Sequence, residues 1–331
     1  MSGKLHFDSN LNLISEKSIS IIGYGNQGRA QALNLRDNGL NVIIGNIRDE
    51  YWERAERDGF KVYPIGDAVK LSEVTLMLIP DEVAPQVFKE EVEGNLRHGH
   101  VLCFASGYNV AFGYIKPPTY VDVVLVAPRM IGEGVRSLFL EGKGFPVLIG
   151  VHQDYSGRAL DHALAIAKGI GSLNPGGVAI ESSFWEEAVT DLFGEQVVGG
   201  GMLHLIRAAF EVMIEFGINP MVAILELYAS GELIELAKAI YKYGLWDQLN
   251  LHSSTSQYGQ QTRGPKIISE VVKATLRSVM EDIVSGKFAE EWMLEQRTAK
   301  KNFEKIWREN LSHEIVKVEK ELYKLLRRLI Q

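Results

Sequence analysis

The sequence predicts an α/β fold, a doubly wound parallel sheet in the N-terminal part followed by an all-helical C-terminal domain. Two patterns predict it. In the first half, short β-branched runs alternate with helix-like stretches: Ile19 to Ile22, Val42 to Ile44, Val74 to Ile79, Val101 to Phe104, Val121 to Val126 and Pro146 to Val151. Each run is too short for a buried helix and most are bounded by Gly, Pro or Asn, so they read as six strands separated by helices. After about residue 180 the apolar residues instead recur three or four apart, as in Met202, Ile206, Phe210 and Met213, and later Ile315, Leu322, Leu325 and Leu329. That is the spacing of one helix face. The Asn174-Pro-Gly-Gly177 turn and the strand-like Val178 to Ile180 precede the change, which places the boundary between domains 1–183 and 184–331.

A chain of 331 residues has room for two domains and a sizeable core. The charge balance, 35 Lys plus Arg against 42 Asp plus Glu, is −7, which argues against nucleic acid as a partner. Cys103 is the only cysteine, so neither an intrachain disulfide nor a cysteine metal cluster is available, and a reducing, cytoplasmic location is expected. The N-terminal MSGKLHFDSNLN lacks the apolar core of a signal peptide, and nowhere do about 18 apolar residues run uninterrupted, so no membrane partner is expected. The final VEKELYKLLRRLIQ is amphipathic and is expected to pack on its own domain rather than on a lipid surface.

The run Ser18 to Ile22 leads straight into Gly23-Tyr24-Gly25-Asn26-Gln27-Gly28 and then into a stretch of good helix formers. Gly23 allows a tight turn, Gly25 lets backbone approach a pyrophosphate, and Gly28 lets helix and strand pack closely, while the helix N-terminus offers N–H groups to the anion. The first domain is therefore expected to be Rossmann-like and to bind NAD(H) or NADP(H). No acid ends the second strand; Gly45-Asn46 is followed by Ile47-Arg48-Asp49-Glu50. Arg48 could stack on adenine or contact a 2′-phosphate. Asp49 and Glu50 would repel that phosphate and could bond a free ribose hydroxyl, so NADH is expected to be tolerated.

Past the boundary, Asp191 and Glu195 stand four apart on a predicted helix and so share a face. A hard divalent cation, Mg2+ by ligand type, would relieve their repulsion. An ordinary solvated face is the simpler alternative.

The glycine turn, Ile79-Pro-Asp-Glu82, Val126-Ala-Pro-Arg129, Val151-His-Gln-Asp-Tyr-Ser-Gly157, Gly286-Lys-Phe-Ala-Glu-Glu-Trp292 and above all Thr190-Asp-Leu-Phe-Gly-Glu-Gln196 occur in unbroken order. Together they resemble short-form, class I ketol-acid reductoisomerases. The resemblance implies a knotted helical domain, a homodimer or higher homo-oligomer, and two Mg2+ ions at the subunit interface. The substrate it implies is a small 2-hydroxy-3-keto acid such as acetolactate, converted by an alkyl shift and then reduced by NADPH on the way to valine and isoleucine. Asp81, Glu82 and Gly132 are then expected beside the cofactor, and Asp191, Glu195 and Glu226 at the metals.

Several positions depart from the family. Its F-A-H-G-F-N is Phe104-Ala-Ser-Gly-Tyr-Asn109 here, so Ser106 stands where the active-site histidine is expected, and a serine does not titrate near neutrality. Its A-P-K-G-P-G is Ala127-Pro-Arg-Met-Ile-Gly132, so Arg129, a wider and permanently charged fork, replaces the site lysine. Its F-K-E-E-T-E-T-D is Phe184-Trp-Glu-Glu-Ala-Val-Thr-Asp191, with Trp185 and Val189 in place of charges. The second acidic pair is disturbed too, because four residues after Glu226 comes Ser230, and Glu232 is the nearest substitute. On a straight helix Glu232 lies about 120° around from Glu226, so the two can face one ion only across a bulge or kink near Ser230-Gly231. Leu251-His-Ser-Ser-Thr-Ser-Gln-Tyr-Gly259 puts Ser253 where a substrate-contacting serine is expected. His162, His204 and His252 are not adopted as substitutes for the missing histidine, since nothing in their spacing ties them to Asp191.

Two other readings keep the fold. A divergent paralogue would reduce another small 2-keto acid without isomerisation, and a non-catalytic paralogue would bind NAD(P) without turnover. β-Hydroxyacid dehydrogenases fit less well, because they lack the paired carboxylates.

Overall fold

Nine strands form one sheet in the order β1-β9-β8-β7-β6-β5-β2-β3-β4. They are β1 (Leu5–His6), β2 (Ser18–Ile22), β3 (Asn41–Gly45), β4 (Lys61–Tyr63), β5 (Val74–Met77), β6 (Val101–Phe104), β7 (Asp122–Pro128), β8 (Pro146–Gln153) and β9 (Val178–Glu181). The computed structural model describes residues 3–330, and side chains through residue 326. The chain divides into two units, Met1–Thr190 and Asp191–Gln331. This division falls beyond the expected 183 because the first turns of the helix Phe184–Phe193 pack on the sheet, with Phe184, Glu187, Ala188 and Val189 all buried.

In the first unit β2 to β7 are parallel, with β2 between β3 and β5, so the strand order reverses beside the glycine turn. The expected all-parallel sheet needs correction at one edge. β8 runs antiparallel to β7, β9 is parallel to β8, and β1 closes the edge antiparallel to β9. β1 and β4, at two and three residues, carry too little periodicity to be read from sequence.

The strands are apolar on both faces because helices cover both. Along β6 and β7, Val101, Cys103, Val124 and Val126 enter one core, and Leu102, Phe104, Val123, Leu125 and Ala127 the other. That alternation is the period of two of a pleated strand. Truncating Leu102 to Ala, at a fully buried position, would cost about 2–5 kcal/mol.

One polar network interrupts the second core. Ser20 Oγ lies 2.8 Å from both Ser72 Oγ and Thr75 Oγ1, and Thr75 Oγ1 lies 2.8 Å from His100 Nε2. His100 is 2% exposed, and its Nδ1 has no partner among the described residues. Burial, with Arg97 and Lys17 nearby, pushes the imidazole down to about 4.

The second unit is helical throughout its described length. Its main helices are Gly201–Glu215, Glu232–Tyr243, Ser254–Ile267, Glu270–Val284, Lys287–Arg297, Lys301–Ser312 and Glu314–Ile330. Few large apolar residues are buried in it, chiefly Phe210, Ile224, Leu249, Ile283 and Leu322, while Phe216, Tyr241 and Trp246 are exposed. The continuous helical stretch Phe184–Glu215 contains an 18-residue window of mean hydropathy 1.5, enough by length and composition to cross a bilayer, and that window is almost wholly uncovered. The C-terminal amphipathic helix packs on its own unit as expected: Leu322 is buried, and Tyr228 donates to Glu319 at 2.8 Å. Its last side chains lie outside the described residues.

The His100 environment predicts an acid-sensitive fold. The folded imidazole stays neutral below its unfolded value of 6.5, so the unfolded chain binds the extra proton, and stability is lost as pH falls from 6.5 towards 4. The loss from this group should reach about 3 kcal/mol, and His100→Gln should flatten that part of the curve in denaturant titrations between pH 4 and 7.

Candidate cofactor and active site

The glycine turn begins where β2 ends. Gly23 has φ +93°, a left-handed conformation that side-chain-bearing residues rarely adopt, and its N–H donates to Gly45 O at 2.9 Å. A Cβ on Gly28 would fall on the carbonyl oxygen of Gly23, whereas a Cβ on Gly25 would meet nothing within 4 Å. The first and third glycines are thus structural, and the middle one leaves open space for a ligand. The helix Asn26–Asp37 starts at Gly25 with no side-chain cap and no acid in its first turn, so its leading N–H groups remain available to an anion. Beside it lies a cavity of about 470 Å³ bordered by Gly25, Asn26, Arg29, Arg54 and Gly132. Gly132 is required there, since a Cβ would land on the main chain of Asn26.

Two side chains of the glycine turn are engaged within the protein. Tyr24 is 1% exposed and its hydroxyl donates to Asp58 at 2.9 Å, so it is a core residue that helps hold Asp58 against Arg29. Gln27 donates through Nε2 to Met130 O at 2.8 Å, which makes its amide a brace between the turn and the segment after β7. At the end of β3, Asp49 caps the helix Glu50–Arg57: its Oδ1 accepts from Tyr51 N, Trp52 N and Asn46 Nδ2. Arg48 lies over the Trp52 ring at 5.0 Å.

The carboxyl ends of β5, β6 and β7 carry the other candidates. Asn109 Nδ2 donates to the main-chain oxygen and to Oδ1 of Asp81, at 3.1 and 3.0 Å, and Ser106 donates to Asp81 Oδ2 at 3.4 Å. Asp81 therefore organises its neighbours, while Glu82 is exposed. Arg129 donates from Nη2 to Glu187 Oε1 at 2.7 Å, and Glu187 Oε2 accepts from Gly107 N at 2.6 Å. Glu187 is 1% exposed, and a Cβ on Gly107 would strike the Phe184 carbonyl. One buried carboxylate thus ties the ends of β6 and β7 to the helix Phe184–Phe193. Sequence reasoning passed over Glu187, although Glu187, Asp191 and Glu195 recur every four residues. His162 Nδ1 lies 3.0 Å from Asp122, which also holds Ser156, so this histidine secures the loop after β8.

In the second unit, Asp191 is half-buried near the end of the helix Phe184–Phe193, and Glu195 is exposed in a π-helical turn, Gly194–Gly200. Glu226 sits in a second π-helical turn, Leu225–Ala229. The next helix begins at Glu232 after Gly231, whose φ is +85°. The bulge expected near Ser230-Gly231 is present, and Glu226 and Glu232 border one cavity of about 380 Å³ together with Glu235, His252 and Ser256. The expected quartet of Asp191, Glu195, Glu226 and Glu232 is not assembled, however. Among the described residues no three His, Cys, Asp or Glu side chains are arranged to hold a metal. Ser253 caps the helix Ser254–Ile267, accepting from Ser256 N at 3.3 Å, while Ser256 borders the cavity. His252 pairs with Gln248 at 3.1 Å, and His204 is exposed.

Removing the Glu187 clamp should be costly. Glu187→Gln keeps an acceptor for Gly107 N–H but loses the ion pair, and should destabilise less than Glu187→Ala, which should lose about 3 kcal/mol in urea unfolding.

The family model for the acetohydroxy acid isomeroreductase NADPH-binding domain matches residues 13–176, and that for the ketol-acid reductoisomerase C-terminal domain matches residues 184–328. The chain is 49% identical over 330 residues to a protein of Saccharolobus solfataricus provisionally named ketol-acid reductoisomerase 3, covering 99% of both chains. It is 47% identical over 321 residues to the ketol-acid reductoisomerase (NADP(+)) of Pyrobaculum calidifontis, covering 96% of this chain and 97% of the relative. A solved NADH-preferring ketol-acid reductoisomerase from an uncultured archaeon superimposes with a TM-score of 0.92 at 34% identity, over 98% of this chain and 99% of the other. With both domain families matched in order and relatives aligned end to end, this chain belongs to the ketol-acid reductoisomerase family.

Proposed function

We propose that the chain is an NAD(P)H-dependent ketol-acid reductoisomerase of branched-chain amino acid biosynthesis, acting on 2-acetolactate-type acids. The observation that carries this reading is the full-length family match, joined to a glycine turn whose middle glycine leaves room for a pyrophosphate. The open helix N-terminus at Asn26 binds that anion, and the carboxyl ends of β5, β6 and β7 receive the reacting end of the cofactor.

The acidic residues of the second unit have the chemistry for magnesium, being hard oxygen donors, and Glu226 and Glu232 face one cavity. Bound Mg2+ would polarise the substrate oxygens and favour the alkoxide from which an alkyl group migrates. Asp191, Glu195, Glu226 and Glu232 would hold it. As one chain does not gather them, two copies would: the uncovered apolar helices, Phe184–Glu215 foremost, fit burial against a second copy of this chain, with the knotted interlocking the resemblance implies. Arg129, fixed by Glu187, offers its fork to the substrate's carboxylate, and Ser106 donates a hydrogen bond where the family has a titrating imidazole. The buried Cys103 suits a reducing, cytoplasmic location.

Asp49 supports NADH as an accepted cofactor. Its Oδ1 is used as the helix cap, and the remaining carboxylate charge sits in the loop after β3, where a 2′-phosphate would be repelled and a ribose hydroxyl accepted. Asp49→Ser keeps a capping oxygen and removes the charge. It should raise the NADPH-to-NADH ratio of kcat/KM by roughly tenfold.

Ser106 favours a second reading, reduction without isomerisation. Oxidation of NADH and NADPH should be followed with magnesium on acetolactate and on its rearranged product, 3-hydroxy-3-methyl-2-ketobutyrate. Turnover of both is expected, with Asp191→Asn losing acetolactate turnover by at least about a hundredfold. Turnover of the rearranged compound alone would favour the second reading, and inactivity on both would overturn the proposal.

A further inference from the structure

Glu226 and Glu232 reach one cavity only because the backbone between them is irregular. Ser230 N donates to Leu225 O at 3.3 Å, closing the π-helical turn Leu225–Ala229, and Gly231 leaves that turn at φ +85° before Glu232 starts the next helix. Widened turns of this kind are rare and occur frequently at functional sites. Relaxation of the segment to a regular α-helix would carry the two carboxylates about 120° apart. Something must therefore hold the turn open.

Tyr228 is placed to do so. Glu226 and Leu227 border the cavity, whereas Tyr228, two residues on from Glu226, lies on the far side of the turn. Its half-buried hydroxyl donates to Glu319 Oε2 at 2.8 Å. Glu319 stands on a fixed support, the helix Glu314–Ile330, which packs along Pro220–Ile224, the residues that lead into the turn, and buries Leu322. Just before that helix, His313 Nδ1 accepts from Ile315 N at 3.2 Å, so Nε2 carries the proton and donates to Glu211 Oε1 at 3.0 Å. Arg207 Nε donates to the same oxygen at 2.9 Å. The C-terminal helix is thus pinned to the helix Gly201–Glu215 at its start and to the π-helical turn in its middle.

We propose that Tyr228, anchored by Glu319, is a positioning residue for the acidic pair: the bond holds the turn wide from behind and keeps Glu226 directed to the cavity it shares with Glu232. The C-terminal helix thereby sets how tightly this pair takes a divalent cation. The inference rests on the magnesium reading above and adds what keeps the two carboxylates in register. Hydrogen bonds one layer behind the ligands change metal affinity by about ten- to a hundredfold.

The test uses purified full-length protein, stripped with a chelator and titrated calorimetrically with Mg2+ alone, with NADPH binding followed by fluorescence and the unfolding midpoint as controls on the fold. Tyr228→Phe, which removes only the hydroxyl, should weaken Mg2+ binding about tenfold and leave both controls unchanged, and Glu319→Leu should match it. Glu319→Gln keeps an acceptor oxygen for Tyr228 and should stay within about twofold of wild type. In a Glu226→Gln background, Tyr228→Phe should weaken Mg2+ by less than about twofold further, because the bond acts through the carboxylate already removed. A merely structural role would repeat the full loss there, and that result overturns the proposal. So does wild-type Mg2+ affinity in both Tyr228→Phe and Glu319→Leu. Wild-type protein that binds NADPH but no Mg2+ overturns the magnesium reading itself, and this inference with it.

Discussion

No side chain fits between the carbonyl of Gly23 and Gly28, or between Gly132 and the main chain of Asn26. These two close approaches bring a strand end, a helix start and the segment following β7 to one point, and the rest of the first unit is arranged around it. The helix Asn26–Asp37 can then lie on the sheet with its N-terminus aimed at the crevice where the strand order reverses. A cofactor site of this kind is made of backbone, so its specification lies in residues that have no side chain. That explains why three glycines carry so much of the functional reading, and why Tyr24 and Gln27 between them serve packing and bracing.

A second constraint is electrostatic. Glu187 is nearly fully buried, and its two oxygens are satisfied by a main-chain N–H and by the guanidinium of Arg129. Charge-assisted bonds of this type persist in low dielectric only when both partners stay in place. The family lysine is an arginine here, and the pairing shows why a fork is accommodated, since one arm reaches Glu187. Val189 stands where the family has a glutamate and is buried in the same helix, so its aliphatic side chain joins the core. Trp185 is half exposed, and the structure gives no reason for its presence.

The acidic residues of the second unit show how backbone irregularity redirects side chains. Glu195 and Glu226 both lie in π-helical turns, and Gly231 stops the second turn in a left-handed conformation before Glu232 begins a new helix. Wider turns change the angle between successive residues, so a pair six apart can reach one cavity where a regular helix would separate them. The same unit leaves many of its large apolar side chains uncovered, a surface that water tolerates poorly in a lone subunit.

The sequence by itself determined the fold class, the glycine turn, the all-helical second half and the requirement for a bulge near Ser230-Gly231, because these depend on local periodicity, on glycine's freedom at positive φ and on residue counting. Only the tertiary structure decided that β8 reverses direction, that Tyr24 is core, that Asp49 caps a helix, and that Glu187, Asp81 and Asn109 hold the strand ends. Strand direction and the partners of a polar group depend on residues far away in the chain: Glu187 meets Gly107 across 80 positions and Arg129 across 58. Spacing along a sequence carries no signal for such pairs, since burial and hydrogen-bond satisfaction are settled only when the elements are brought together.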